Sequence, residues 1–411
     1  MKFDTVVLGG GIIGISIAIH LQMRGREVAL VDLTSPGSET SFGNAGLIQR
    51  EGVYPYAFPR DITSLMKYAL NCSPEVRYHF ASILRLTPFL WKYWFHSHSS
   101  RHAEIARSYA TLIQQSVKEH HFLAEAAGVR HLLRSGGWLK VFRTVKKQEA
   151  EISFAEKCRA EFGIQFKVMD TALLHHAEPD LDPSLLGALH YTESEAVNDP
   201  GALVTAYARY FERLGGHFFF GDALTLSGQW TIKTERGQIN SNSVVIALGP
   251  WSDVLCSRFG YHFPLAVKRG YHMHYGVKEN ARLIHPVLDF ERGYLIAPMV
   301  RGVRLTTGVE FARRDSQKTP VQLNQVEPVA RTLFPITERL DKFPWMGCRP
   351  CTPDMLPIIG QAPRHNGLWF AFGHGHHGLT LGPVTGRLLA EMMTGEDLIV
   401  DPLPFSATRF R

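Results

Sequence analysis

Residues Thr5 to Asp32 constrain the fold more than any other stretch, because they spell out a strand, a glycine turn, a helix and a second strand in the space of a dinucleotide cradle. Thr5-Val6-Val7-Leu8 reads as a short buried strand and Gly9-Gly10-Gly11-Ile12-Ile13-Gly14 as the turn. Ile15 to Met23 follows as an apolar helix, and Glu27 to Val31 as a strand ending at Asp32. Gly9 permits the tight turn, Gly11 lets the backbone approach a pyrophosphate, and Gly14 lets the helix pack on the strand. Ile12 and Ile13 lead into a helix N-terminus whose free N–H groups and positive dipole end suit phosphate. Asp32, roughly twenty residues on, is placed to accept ribose hydroxyls, which favours a free ribose over a 2′-phosphate but does not separate NAD from FAD. A lone glycine pattern is equally an ordinary turn; here the strand, the helix and the acid agree.

A chain of 411 residues exceeds one ordinary core, so two domains, or one domain interrupted by another, are expected. Its 45% hydrophobic and 20% charged residues are those of a globular protein. The net charge of +6 is spread over scattered basic residues without a nucleic-acid motif, so no nucleic-acid partner is expected. The five cysteines, Cys72, Cys158, Cys256, Cys348 and Cys351, are odd in number and lack a scaffold spacing, which favours a reducing, cytoplasmic setting. Cys348 and Cys351 have no second pair to complete a zinc site. Asp4 and the glycines interrupt any signal-peptide pattern, and no apolar run reaches the roughly 20 residues of a membrane span.

Further along, Ser35-Pro36-Gly37 turns the chain into Glu39 to Ile48, a segment of small and hydroxyl residues that lets a flat ligand approach the backbone. Residues 61–130 are helical in pattern, with Ser73-Pro74 starting a new element and an aromatic stretch from Leu84 to Phe95. Packing on its own domain is the ordinary role for such a stretch. Its Lys and Arg neighbours also allow peripheral contact with the inner face of a membrane. Gly136 to Phe142 reads as a strand, Lys146 to Phe162 and Gly201 to Leu214 as helices, and His217 to Phe220 as a third nucleotide-domain strand, with Leu224 beyond it able to pack on adenine. Ser243 to Ser252 is a strand ending in a turn at Gly249, with Trp251 just after it. From Leu265 to Phe311 the pattern is strand-rich, with Tyr271, Met273 and Tyr275 on one face and His272 and His274 on the other. Near the C-terminus, His374, His376 and His377 lie in a glycine turn without carboxylate or cysteine partners at ligand spacing, so no metal is expected.

Two motifs carry a family resemblance: Thr40-Ser41-Phe42-Gly43-Asn44-Ala45-Gly46, and Gly347-Cys348-Arg349-Pro350-Cys351-Thr352-Pro353-Asp354. The chain resembles the FAD-dependent D-amino-acid oxidase superfamily, more closely its bacterial D-amino-acid dehydrogenase and D-hydroxyproline dehydrogenase branch. The resemblance implies an α/β fold. A Rossmann-like FAD domain of the glutathione-reductase type (1–60, 185–260, 340–411) would be interleaved with an α+β substrate domain (61–184, 261–339) carrying a large mixed or antiparallel sheet. It implies FAD, contacted by Thr40, Ser41, Asn44, Ala45, Gly46 and Leu47, by Gly249 and Trp251, and by Gly373, His374, Gly375, His377, Gly378, Leu379 and Thr380 around the flavin's pyrimidine edge. The sarcosine-oxidase branch holds its flavin through a cysteine five residues before the matching threonine. Gly347 stands there, with Cys348 one step out of register, so non-covalent FAD is expected.

The resemblance also places Tyr294, with Tyr271 as a second candidate, at the substrate cavity, and makes Arg349 the substrate's carboxylate anchor through two parallel charge-assisted hydrogen bonds. His376 falls where the glycine-oxidase branch has a substrate-facing arginine, which would make binding pH-dependent near neutrality. The implied reaction is oxidation of a D-amino or D-imino acid, such as cis-4-hydroxy-D-proline, to the imine by hydride transfer to the flavin. Alternatives are a glycine- or sarcosine-type oxidase making hydrogen peroxide, and the flavin subunit of a multi-chain dehydrogenase. The electron acceptor stays open, a quinone or a carrier protein included.

Overall fold

A computed structural model describes residues 1–71 and 73–410; Cys72, and Arg411 at the end of the last expected FAD segment, lie outside the described residues. The first sheet has the strand order His217–Phe220, Val28–Asp32, Lys2–Leu8, Gly237–Ile246, Leu368–Phe372 and Ile358–Gln361. Its first five strands are parallel and the last is antiparallel. Both faces are covered, as parallel sheets require. Val7, Leu30 and Val245 face the helices, while Val6, Leu8 and Val31 pack with Ile246 and Phe370 on the opposite side. Helix Ile12–Met23 lies against helix Gly378–Thr394 so closely that a Cβ on Gly386 would collide with the Ser16 backbone.

The second sheet is built on the long strand Ala266–Val277, which pairs antiparallel with Gly302–Thr306, Val309–Phe311, Ile336–Arg339 and Trp345–Cys351. It continues through Tyr294–Met299, Val287–Asp289, Trp138–Phe142, Gly187–Tyr191 and Phe166–Asp170, and is mixed because Val287–Asp289 runs parallel to Trp138–Phe142. A small third sheet of Leu47–Ile48, Glu195–Val197 and Leu133–Arg134 ties the end of the 40–47 loop to the returning chain. The return is capped by the Asp-Pro pair: Asp199 Oδ1 accepts from Ala202 N at 2.9 Å while Pro200 occupies the first turn of helix Pro200–Arg213.

Helices Ser99–Ile113 and Ser116–Ala126, placed above in the substrate domain, bury Tyr109, Leu112 and Leu123 in the same cluster as Ile15 and Leu388. Gly187–Tyr191 and Trp345–Cys351, placed above in the FAD segments, hydrogen-bond into the large sheet. The 61–130 stretch is also not purely helical, since Val76–Tyr78 forms an edge strand beside Val309–Phe311.

Candidate active site

The two sheets enclose one continuous cavity of about 1580 Å³ that runs from Asp32 and Leu224 at one end to Arg349 and His376 at the other. At the first end, Gly9 has a φ of 115° and so near an approach to the Ala247 carbonyl that no Cβ fits. A Cβ on Gly14 would strike the Gly9 carbonyl. The turn between them therefore closes only with glycine at both ends. Asp32 braces the same turn, accepting from Gly10 N at 2.5 Å and from Thr34 N at 2.9 Å while still lining the cavity. Gly11 caps the helix through its backbone without a side-chain partner, and Ile12 N donates to Ser41 Oγ at 3.1 Å. Gly249, with a φ of 54° and open space where its Cβ would stand, borders the cavity beside Trp251 and Leu224. A cradle with glycine backbone, a helix N-terminus and one acid at the cavity wall fits the adenine, ribose and pyrophosphate of FAD.

The loop from Thr40 to Leu47 is pinned from three sides. Thr40 Oγ1 donates to the Cys348 carbonyl at 3.2 Å, Asn44 Oδ1 accepts from Gly46 N at 2.9 Å, and Thr380 Oγ1 donates to the Leu47 carbonyl at 3.2 Å. Arg304 clamps the middle, its Nη1 donating to the Phe42 and Asn44 carbonyls. Its Nε donates to His274 Nε2 at 3.0 Å, and His274 Nδ1 in turn donates to Asp341 Oδ2 at 2.7 Å. His272, His274 and Asp341 form the one group among the described residues with metal-ligand spacing. Both ring nitrogens of His274 are committed and the Arg304 cation sits on the cluster, so this is a hydrogen-bond chain built to hold Arg304.

At the far end the Arg349 guanidinium lies flat over Gly270, where a Cβ would fall 2.6 Å from Cζ. Its Nη1 donates to the carbonyls of Arg269 at 3.3 Å and Gly308 at 3.2 Å, and no carboxylate pairs with it among the described residues. Lys268, opposite Arg349 on the neighbouring strand, is likewise buried without an acidic partner among the described residues; its Nζ lies 4.0 Å over the Tyr93 ring and 3.7 Å from Met355 Sδ. Of the other lysines and arginines that line the cavity, Lys67 pairs with Glu75 at 3.0 Å, Lys140 with Glu151 at 2.8 Å and Arg314 with Asp253 at 3.4 Å, while Lys147 is exposed to solvent.

His376 lies across from this pair with its ring centroid 4.6 Å from that of Tyr56, and its Nδ1 is buried without a hydrogen-bond partner. Burial first, then Arg349 and Lys268, push its pKa far below the ordinary histidine value, so it is neutral at neutral pH. The expectation of a near-neutral titration at His376 is corrected on this ground. His377, bonded through Nδ1 to the Tyr109 hydroxyl at 2.8 Å, is pushed down to about 4 by burial, and His374, bonded to Thr385 Oγ1 at 3.0 Å, to about 3. Gly373 has a φ of 85°; from it the chain turns through Gly375 into the N-terminus of helix Gly378–Thr394, which faces the cavity with Gly378 and Leu379. That geometry fits the pyrimidine end of a flavin, where a helix N-terminus stabilises negative charge.

The two tyrosines differ from a free substrate contact. Tyr294 borders the cavity with its hydroxyl donating to Asp289 Oδ2 at 3.2 Å. Tyr271 also borders it, but its hydroxyl donates to Glu310 Oε2 at 2.9 Å and accepts from Arg269 Nη2 at 2.6 Å and Thr319 N at 2.9 Å. Sequence reasoning missed Tyr56, which sits in a loop without a motif. It also did not single out Lys268, whose burial is not legible in the mixed run Ala266-Val267-Lys268-Arg269-Gly270, although a buried amine is rare without a task.

The sequence pattern described as "DAO: FAD dependent oxidoreductase" matches residues 4–392 of the chain. A D-amino-acid oxidase of Bradyrhizobium diazoefficiens is 28% identical over 99% of this chain and 98% of its own length. A D-amino acid dehydrogenase of Granulibacter bethesdensis is 27% identical over 99% of each. Among solved structures, glycine oxidase from Geobacillus kaustophilus superposes with a TM-score of 0.74 at 23% identity, covering 99% of both chains. L-proline dehydrogenase from P. horikoshii superposes at 0.73 with 19% identity, over 100% of this chain and 98% of its own.

Proposed function

The chain belongs to the FAD-dependent oxidoreductase family, and from that premise we propose that it is a dehydrogenase of D-amino or D-imino acids, converting the substrate to its imine. One observation carries the reading: Arg349 and Lys268, two cavity-wall cations without acidic partners among the described residues, stand beside a neutral His376. An unpaired buried cation costs several kcal/mol of desolvation, and an anionic ligand compensates it. Arg349 takes the carboxylate through its planar fork, and Lys268 keeps the surrounding field positive. His376, neutral and with Nδ1 unpartnered, accepts a hydrogen bond from the substrate's amino group. Tyr56 closes the pocket over that ring, and Tyr294 walls its far side. Bound FAD supplies the two-electron acceptor for hydride leaving Cα. The protein's part is to bind, orient and exclude water, so no dedicated base is required.

FAD is held without a covalent bond in this reading. Gly347 carries no nucleophile, and the Cys348 thiol is buried, pushed up to about 11 and turned toward Met346 Sδ at 3.9 Å. Acid precipitation should release all the flavin into the supernatant.

The test is anaerobic bleaching of the purified yellow protein by cis-4-hydroxy-D-proline, D-proline, D-alanine, glycine and sarcosine, followed by admission of air. Fast bleaching by the D compounds with slow recovery in air supports the dehydrogenase. Fast recovery with hydrogen peroxide means an oxidase, and bleaching by none removes this substrate class. A flavin subunit that needs partner chains would show no dye-linked turnover alone.

A further inference from the structure

The three most exposed large apolar side chains among the described residues, Leu84 at 83%, Ile62 at 76% and Phe80 at 74%, all fall on two neighbouring helices, Ile62–Ala69 and Phe80–His96. In the second helix the exposure is periodic. Phe80, Leu84, Trp91 and Phe95 are separated by four, seven and four residues, so they form one stripe along the solvent side. Phe89 and Tyr93 on the opposite side are buried against Phe311 and Cys351. A helix that packs on one face leaves polar residues on the other; this one leaves tryptophan, phenylalanine and leucine.

The first helix continues the patch. It exposes Ile62 and Met66, one turn apart, and its end is joined to the second helix through Tyr78, whose hydroxyl donates to the Ala69 carbonyl at 2.7 Å and whose ring lies 5.2 Å from Phe80.

Along the second helix the charge has one sign. No Asp or Glu occurs between Glu75 and Glu104, while Arg85, Lys92 and Arg101 do. Arg85 and Lys92 are exposed and each directly follows a stripe residue, Leu84 and Trp91. Protein interfaces deplete lysine at their apolar centres. Large apolar and aromatic side chains set in the interface plane, with basic residues interleaved along the second helix and the acids Asp61 and Glu75 beside the first helix engaged by Ser64 N and Lys67, suit an anionic bilayer surface.

We propose that this helix pair docks the protein peripherally on an anionic lipid surface, with Phe80, Leu84, Trp91 and Phe95 entering the headgroup boundary and Arg85 and Lys92 contacting lipid phosphates. Nothing in it spans the bilayer, and among the described residues no helix is long and apolar enough to cross one. The inner sides of the same helices, at Leu65, Tyr68, Ile83 and Leu90, line the catalytic cavity, so docking sets the cavity wall against the lipid. The proposal stands apart from the choice of substrate.

The experiment is co-sedimentation of the FAD-loaded protein with vesicles of phosphatidylcholine alone or mixed equally with phosphatidylglycerol. It is run on the wild type, on Leu84→Ser/Trp91→Ser and on Arg85→Ala/Lys92→Ala. Dye-linked turnover and gel-filtration size are measured on the same samples. None of the four substituted side chains lines the cavity. Wild type should pellet with the phosphatidylglycerol vesicles only, and each double variant should bind at least about tenfold more weakly while keeping its flavin and its size. Wild type staying in the supernatant with both vesicles overturns the proposal, as do variants that pellet like wild type. A wild-type dimer that both variants convert to monomer, without vesicle binding, overturns it in favour of a contact between copies of this chain. Loss of turnover in every sample would speak against the substrate assignment and leave the sedimentation result to be read on its own.

Discussion

At the residue scale the site turns on which side chains keep charge once buried. Arg349 retains its charge despite a pKa lowered by burial, because guanidinium starts so high. His376 does not, because burial and two neighbouring cations act on a group that starts near neutrality. Substrate affinity should therefore show no histidine break between about pH 6 and pH 8. A break near 6.5 in the KM profile that disappears in His376→Gln would contradict this. Arg349 was legible in the sequence because it sits in a recognisable run from Gly347 to Asp354. Its cavity partners were less so. Lys268 lies just before the alternating 271–275 segment, and only the fold reveals that no acid among the described residues pairs with it. The hydroxyls of Tyr271 and Tyr294 were legible as positions but not as bonds, since Glu310 and Asp289 come from other strands.

At the element scale, the strand, turn and helix from residue 2 to residue 32 were readable almost completely, because local spacing alone sets them: three glycines, an apolar helix and an acid. Gly14→Ala should yield colourless protein or none, since the new methyl group would meet the Gly9 carbonyl. Normal FAD content in that variant, read from its absorbance spectrum, would refute the close packing. The flavin loop was readable in composition but not in support. Its clamp draws on Arg304, His274 and Asp341 from separate elements. Arg304→Met should weaken FAD binding about tenfold or more, because it frees the carbonyls of Phe42 and Asn44 and leaves His274 Nε2 without its donor. Fluorescence titration of the apoprotein with FAD reads this directly, and unchanged affinity would mean the loop holds without the clamp. Helices Ser99–Ile113 and Ser116–Ala126 were legible as helices, but an apolar stripe does not say which neighbours it will pack on, here Ile15 and Leu388 among others.

At the scale of the whole molecule, two sheets share one cavity, and neutral buried histidines are part of the cost. His20 and His272 are held at about 3, and His120 at about 4, all chiefly by burial. The unfolded chain binds protons at these groups near 6.5, where the folded one does not. Stability is thus full above about pH 6.5, falls as pH drops toward about 4, and levels off below the folded values. Thermal unfolding of the FAD-loaded protein across that range should show Tm falling with acid; a flat profile would place these rings in solvent. The interleaving of domains followed from the resemblance, whereas the membership of Gly187–Tyr191 and Trp345–Cys351 in the large sheet depends on long-range pairing that no local pattern encodes.

The most direct test of the central claim, that Arg349 anchors a carboxylate substrate at the flavin, is rapid anaerobic mixing of wild type and Arg349→Ala with the best-bleaching amino acid. Removing one partner of a buried charge pair predicts a Kd raised about thirtyfold or more, with FAD content unchanged. A Kd equal to that of wild type would contradict the account and take Arg349 out of the substrate site.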